Sequence, residues 1–236
     1  WYTVGMRLVS LDLSTKTGWS LFVDRSLTDF GLIERTLVGT LESYGDYPWS
    51  LKSLSKNIAL QVVQKTLELN PDVIVIEETN KPGRFGSRHS QKCLEQIHTY
   101  VLDGLSGKTV LYINTSDWRK KLNLSVAETK KLAKPYIKKL KELQQLFDKT
   151  KDKKTKLALK EEIRVFKEEL KNKCIHGKID KKSISVAYCN AKFGLKLIKG
   201  NNDIADSICL GQAYLLGVKT LTNSDIFQKG KQDEQS

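Results

Sequence analysis

The sequence predicts an α/β fold: a five-stranded mixed sheet, three antiparallel strands followed by two parallel ones, flanked by helices and carrying a basic helical insertion. Three observations predict it. The chain opens with apolar runs separated only by turn residues. Two later apolar runs enclose a segment of helix length. An internal stretch, 123–177, combines helical periodicity with most of the excess positive charge.

The first runs, "MRLVSLDL", "GWSLFVD" and "DFGLIERT", are punctuated by Ser14, Gly18 and the cluster from Ser26 to Asp29. Connections this short make an antiparallel meander. A helix is predicted over 49–69, where Leu51, Leu54, Ile58, Val62 and Leu69 recur at helical spacing behind Pro48 and "NPD" ends the pattern. "VIVIEE", 73–78, is a continuous β-branched run, as in a central strand covered on both faces. A basic loop, "TNKPGRFGSRHS", leads to a helix over 91–104 and a short strand, "TVLYIN". Strand, helix, strand at that spacing gives a parallel pair with a right-handed crossover.

Over 123–177 there are 16 Lys or Arg against 8 Asp or Glu, a net +8 of the chain's +13. Leu132, Tyr136, Leu140, Leu143 and Phe147 step by three or four, as do Leu159, Ile163, Phe166 and Leu170, and "KTKDKKTK" between them has no apolar residue. These are two amphipathic helices, forming a hairpin or a bent rod. "NNDIADSICLGQAYLLG" near the C-terminus is a capped helix with Ile204, Ile208, Leu210 and Leu215 on its apolar surface. One main domain, 6–122 with 178–220, is therefore interrupted by the insertion 123–177 and followed by a polar tail, 221–236. Met6 is the only methionine, which marks 1–5 as an added or atypical leader.

Composition narrows the function. Hydrophobic residues make up 39% of the 236, ordinary for a globular chain, while 40 Lys and Arg against 27 Asp and Glu point to a polyanionic partner. No apolar run approaches the roughly 20 residues that span a bilayer, and no secretory signal opens the chain, so an intracellular protein is expected. Cys93, Cys174, Cys189 and Cys209 are scattered and form no CxxC, which assigns them to packing rather than to disulfides or zinc.

The candidate chemistry lies in carboxylates. Asp12 ends the first strand and Glu77 lies near the end of the central one, so neighbouring strands would bring both to one sheet edge. Glu78 competes with Glu77, because adjacent strand residues face opposite ways. Asp203 and Asp206, three apart on a helix, share a face. Singly, Asp12 also reads as a turn former and Asp203 as a helix N-terminal residue; Asp206, flanked by Ile204, Ala205, Ile208 and Cys209, is harder to explain without a ligand. Converging acids repel unless cations join them. Hard oxygen ligands suit Mg2+ or Mn2+, and two ions about 4 Å apart can clamp the attacking and leaving oxygens of a phosphodiester. No nucleophilic side chain is needed, and His89, His98 and His176 stay outside the scheme. Phe85 between Arg84 and Arg88, with Lys81 nearby, can stack on a base while its neighbours hold phosphates. Trp118, Arg119, Lys120 and Lys121 form a second aromatic and basic cluster, a further candidate for phosphate contact, with Arg119 and Lys120 as its DNA-binding residues.

"LVSLDLSTKTGW", "VIVIEE" and "DIADSICLGQAY" together resemble the three acidic motifs of the RuvC-type Holliday junction resolvases, which are ribonuclease H-like nucleases. "DKKSISVAYC" also looks like that family's basic residue leading into a helix before the last motif. The resemblance implies a ribonuclease H-like fold, with Asp12, Glu77, Asp203 and Asp206 as catalytic carboxylates holding two Mg2+ ions, and Lys182, beside Lys181, meeting DNA. It further implies a homodimer that nicks four-way junctions symmetrically, in a bacterial or bacteriophage version acting in the host cytoplasm. Two features depart from the family. The compact bacterial resolvases have no counterpart of 123–177, and the aromatic that often follows the central glutamate is replaced by Glu78, Thr79 and Asn80, with Phe85 arriving later.

Three other readings compete. "DLSTKTGW" also fits the first phosphate loop of an actin-like or sugar-kinase ATPase, but no second such loop, Gly-rich adenosine segment or P-loop follows. A non-catalytic branched-DNA binder would gain affinity by discarding acids that this chain keeps. A nuclease acting on RNA or RNA–DNA hybrids would use the same cluster, and sequence does not separate it from a resolvase.

Overall fold

The chain is described by a computed structural model covering residues 5–34, 46–78, 88–124, 126–172 and 181–222. It divides into two compact units, Trp1–Leu122 with Asp203–Ser236, and Asn123–Asn202.

In the first unit, strand β1 (Arg7–Asp12) has protein on both faces, so its alternation sorts residues between two cores rather than between core and water. Val9 and Leu11 pack with Ile74 and Ile76 of β4 (Val73–Glu77) under helices α1 (Trp49–Glu68) and α2 (Arg88–Gly104). Leu51, Leu54, Ile58 and Val62 of α1 meet Cys93, Ile97 and Val101 of α2 there. On the opposite face Ser10 bonds to the C-terminal helix α7 (Asn202–Leu215). The strand order is β3-β2-β1-β4-β5, with β2 (Lys16–Val23) and β3 (Ser26–Glu34) antiparallel and β4 and β5 (Val110–Ile113) parallel to β1. This is the expected ribonuclease H-like α/β arrangement.

The structure moves two boundaries and adds a helix. β3 begins at Ser26, because the hairpin closes on Asp24 and Arg25, both at positive φ (49° and 67°). Turns of that hand match the strand twist. The Arg25 guanidinium also donates to the Leu215 carbonyl at 2.8 Å. Helix α2 starts at Arg88, three residues before the expected start. A helix not anticipated, α3 (Thr115–Lys121), follows β5; Asn114 caps it by accepting from the Ser116 N–H at 2.9 Å.

In the second unit, α4 (Val126–Lys149) and α5 (Lys153–Asn172) pack as a hairpin joined by residues 150–152. Leu143, Ile163, Phe166 and Leu170 are buried between them, with Tyr136, Leu140, Phe147 and Leu159 at the margin. The unit also contains α6 (Lys181–Phe193). No helix among the described residues is long and apolar enough to cross a membrane. Cys93, Cys189 and Cys209 are buried thiols, as packing cysteines should be; Cys174 lies outside the described residues.

His98 on α2 is buried, and burial lowers its pKa to about 4. The folded chain thus holds a neutral ring that the unfolded chain protonates near 6.5. The stabilisation is complete above 6.5 and is lost as pH falls toward 4, by about 2–4 kcal/mol. Urea midpoints at pH 7 and pH 4 are expected to diverge more in the wild type than in His98→Gln. Equal divergence would mean that other groups set the acid limit.

Candidate functional site

The site begins with small residues on the sheet face that receives α7. The Ser10 and Ser20 hydroxyls lie 2.6 Å apart, and both reach the Ser207 carbonyl, at 2.8 and 3.2 Å. All three serines are fully buried, so each bond replaces hydration that the hydroxyl has lost. Glycines allow the close approach. A Cβ at Gly211 would strike the Phe22 ring and the Ser10 hydroxyl, and one at Gly18 would overlap the Asp203 carbonyl.

Register then brings the acids together. Gly18 pairs with Asp12, so the N-terminal turn of α7 is pinned beside the end of β1. β1 runs parallel to β4 with Leu11 opposite Ile76, which sets Asp12 level with Glu77 on the α7 face. Glu78 turns away: its backbone N–H joins the Ile113 carbonyl, and its carboxylate accepts from Asn114 at 2.9 Å. Glu77 is therefore the glutamate of the cluster.

The electrostatics show how crowded the position is. Burial holds the Asp12 carboxyl well above the ordinary carboxylate range, and the charges of Glu77, Asp206 and Asp203 push the same way, with Arg119 opposing. Burial also raises Glu77; hydrogen bonds from Thr115 and Trp118 oppose it, Asp206 adds to it, and Arg119 relieves it. Both side chains keep some accessible surface, yet lost hydration remains the largest influence on each.

Helix α3 supplies the remaining partners. Thr115 Oγ1 donates to one Glu77 oxygen at 2.5 Å and the Trp118 indole N–H to the other at 3.0 Å. Arg119 stacks on the fully buried Trp118 ring, its Cζ 4.2 Å from the centroid, and donates to both Asp206 oxygens at 3.2 and 3.3 Å. The Arg119 and Asp206 side chains are each only 14% exposed. The oxygen-only donor set suits a hard divalent cation. As placed, however, no three Asp, Glu, His or Cys side chains among the described residues are arranged to hold one ion. The acids gather here with a guanidinium among them.

Comparison with solved structures finds several similar chains. One is Thermus thermophilus RuvC, with 11% identity, coverage of 92% of this chain and 100% of that one, and a TM-score of 0.49. Another is T. thermophilus RuvC in complex with a Holliday junction substrate, with 10% identity, coverage of 92% and 99%, and a TM-score of 0.45. The yeast mitochondrial Holliday junction resolvase Ydc2 follows with 10% identity, coverage of 90% and 80%, and a TM-score of 0.42. The sequence matches no family model and no curated protein.

The other candidate residues are distributed unevenly. Arg119 points into the acid cluster, while Lys120 is exposed on the same helix. Lys81, Arg84 and Phe85 lie outside the described residues. Arg88 opens α2, and Lys181 and Lys182 open α6, where only the backbone is described. Sequence reasoning missed Thr115 as a partner of Glu77 and placed Trp118 and Arg119 with phosphates instead. The available signal was Asn114 followed by Thr-Ser-Asp, a helix start directly after a strand.

Proposed function

We propose that this chain is a structure-selective endonuclease that cleaves Holliday junctions or related branched DNA by hydrolysing phosphodiester bonds with Mg2+ or Mn2+. The observation that carries this reading is the crowding of Asp12, a desolvated carboxylate at a sheet edge with three further acids close enough to raise its proton affinity. Such an arrangement is unfavourable by itself and becomes favourable when cations enter it. Asp12, Glu77, Asp203 and Asp206 would hold two ions. When bound, the ions supply an activated water and neutralise charge on the attacking and leaving oxygens.

The chain's own contribution is positional. Asp12 and Glu77 stand on adjacent strand ends, and Asp203 and Asp206 on one helical turn, so the backbone sets their spacing. Thr115 and Trp118 fix the orientation of the Glu77 carboxylate. Lys120, Lys181 and Lys182, with Lys81, Arg84, Phe85 and Arg88, are the groups to meet DNA. Symmetric nicking of a two-fold junction calls for two active sites, hence a homodimer, acting in the cytoplasm of a bacterial host.

A cleavage panel of four-way, three-way, flap, duplex and RNA–DNA hybrid substrates with Mg2+ and Mn2+ tests the proposal. Metal-dependent cutting of branched DNA with duplex left intact is the expected result. Preference for the hybrid would reassign the substrate. The Arg119–Asp206 pair favours a second reading, a branched-DNA binder without catalysis; binding of junctions with no cleavage under any condition would select it.

The helical hairpin adds a salt-sensitive contact in this reading. Lys153, Lys154, Lys160 and Lys167 are exposed on α5. Changing all four to Gln is expected to weaken junction binding and reduce the slope of log affinity against log salt by up to about 3 to 4. An unchanged slope would mean that these lysines do not meet phosphates.

A further inference from the structure

Arg119 is a cation in a place where the chemistry asks for one. Its guanidinium donates to both oxygens of Asp206, lies against Trp118, and opposes the crowding felt by Asp12 and Glu77. Trp118 meanwhile bonds Glu77, so one short helix engages two of the four acids at once. No three of the acids among the described residues are posed to hold one ion.

We infer that Arg119 is an internal counter-ion: it occupies the acid cluster while no divalent cation is bound and must leave Asp206 for a cation to enter. The inference rests on the metal-site reading above. Two like charges in one pocket repel, so guanidinium and divalent ion compete for the Asp206 oxygens. Arg119 stacks on Trp118 and bonds Asp206 in one and the same arrangement, so release means turning the guanidinium away from the carboxylate oxygens. Once turned off Asp206, the guanidinium can donate to a phosphate oxygen beside the site, so ion entry and DNA engagement are coupled through one side chain.

This role differs from ordinary structural support in the sign of its effect. Removing a positioning residue loosens the ligands and weakens metal binding, whereas removing a competing cation tightens it. Mn2+ binding to the full chain, followed by calorimetry and by the loss of free-Mn2+ paramagnetic signal, reads this without any cleavage. Arg119→Gln is expected to bind Mn2+ about tenfold more tightly than the wild type and to show a lower thermal midpoint in EDTA, so that added Mn2+ raises its midpoint by more. Arg119→Lys, which keeps the charge on a single point, should stay near the wild-type affinity, and Arg119→Met, whose uncharged chain can still cover Trp118, carries the comparison if the Gln variant folds poorly. Unchanged or weaker Mn2+ binding by folded Arg119→Gln, with wild-type binding still abolished by Asp12→Asn, would overturn the counter-ion role and leave the metal site standing. Absence of saturable Mn2+ binding by every variant would overturn the metal site and this inference together.

Discussion

Asp12→Asn is expected to be inert as a nuclease and yet more resistant to heat than the wild type when divalent ions are withheld. Asn keeps the shape of Asp and removes one negative charge. Burial and the charges of Glu77, Asp206 and Asp203 all disfavour the ionised carboxylate, and Arg119 opposes them, yet the carboxyl stays well above its ordinary range, so the balance falls on the side of repulsion. Relief of that repulsion should raise the thermal midpoint in EDTA by roughly 3 °C or more, given about 2–4 °C per kcal/mol for a chain of this size. Cleavage of a four-way junction in Mg2+ should fall by about 10³-fold or more, while junction binding stays equal or tightens because the phosphates face less negative charge. Residual cleavage near the wild-type rate would remove Asp12 from the reaction. A lower midpoint in EDTA would show that the acids are not crowded.

Gly18→Ala carries the second large effect, through packing instead of charge. The methyl group would overlap the Asp203 carbonyl, which is backbone at the start of a buried helix and has no rotamer to change. The N-terminal turn of α7 must then lift from β2, and Asp203 and Asp206 lift with it. Overpacking of this kind costs about 1–3 kcal/mol or more, and the lost register of the acids should reduce cleavage far beyond what the fraction unfolded explains. Gly200→Ala is the control, since a Cβ there meets open space at ordinary φ. Its midpoint and activity should match the wild type. A stable, active Gly18→Ala would mean that the helix tolerates a wider seat than the geometry describes.

Much of this was legible from the chain alone, for reasons that differ by element. The short, turn-rich connections between the first apolar runs and the unbroken β-branched run of β4 are local signals, so the meander and a buried interior strand followed from local pattern. The same logic placed Asp12 and Glu77 at strand ends and Asp203 and Asp206 on one helical face. The β2–β3 turn escaped because Asp24 and Arg25 adopt positive φ without a glycine to announce it. Helix α3 escaped because seven residues give too few turns for periodicity. The choice between Glu77 and Glu78 needed a register against β1, a long-range fact. The Arg119–Asp206 pair spans 87 positions, and no local pattern in "DWRKK" distinguishes an arginine aimed at a carboxylate from one aimed at phosphate.

The seat of α7 on Ser10, Ser20 and Gly18 has a consequence for synthesis. The sheet is laid down first, but the helix that completes its second face is translated nearly 200 residues after Ser10. Until then the emerging chain holds bare hydroxyls and a two-acid edge, and any ribosomal product that stops short of residue 203 lacks half of the carboxylates. If the proposed nuclease reading holds, incomplete polypeptides are expected to be unable to cut DNA, without any inhibitor, because of the order in which the gene is read.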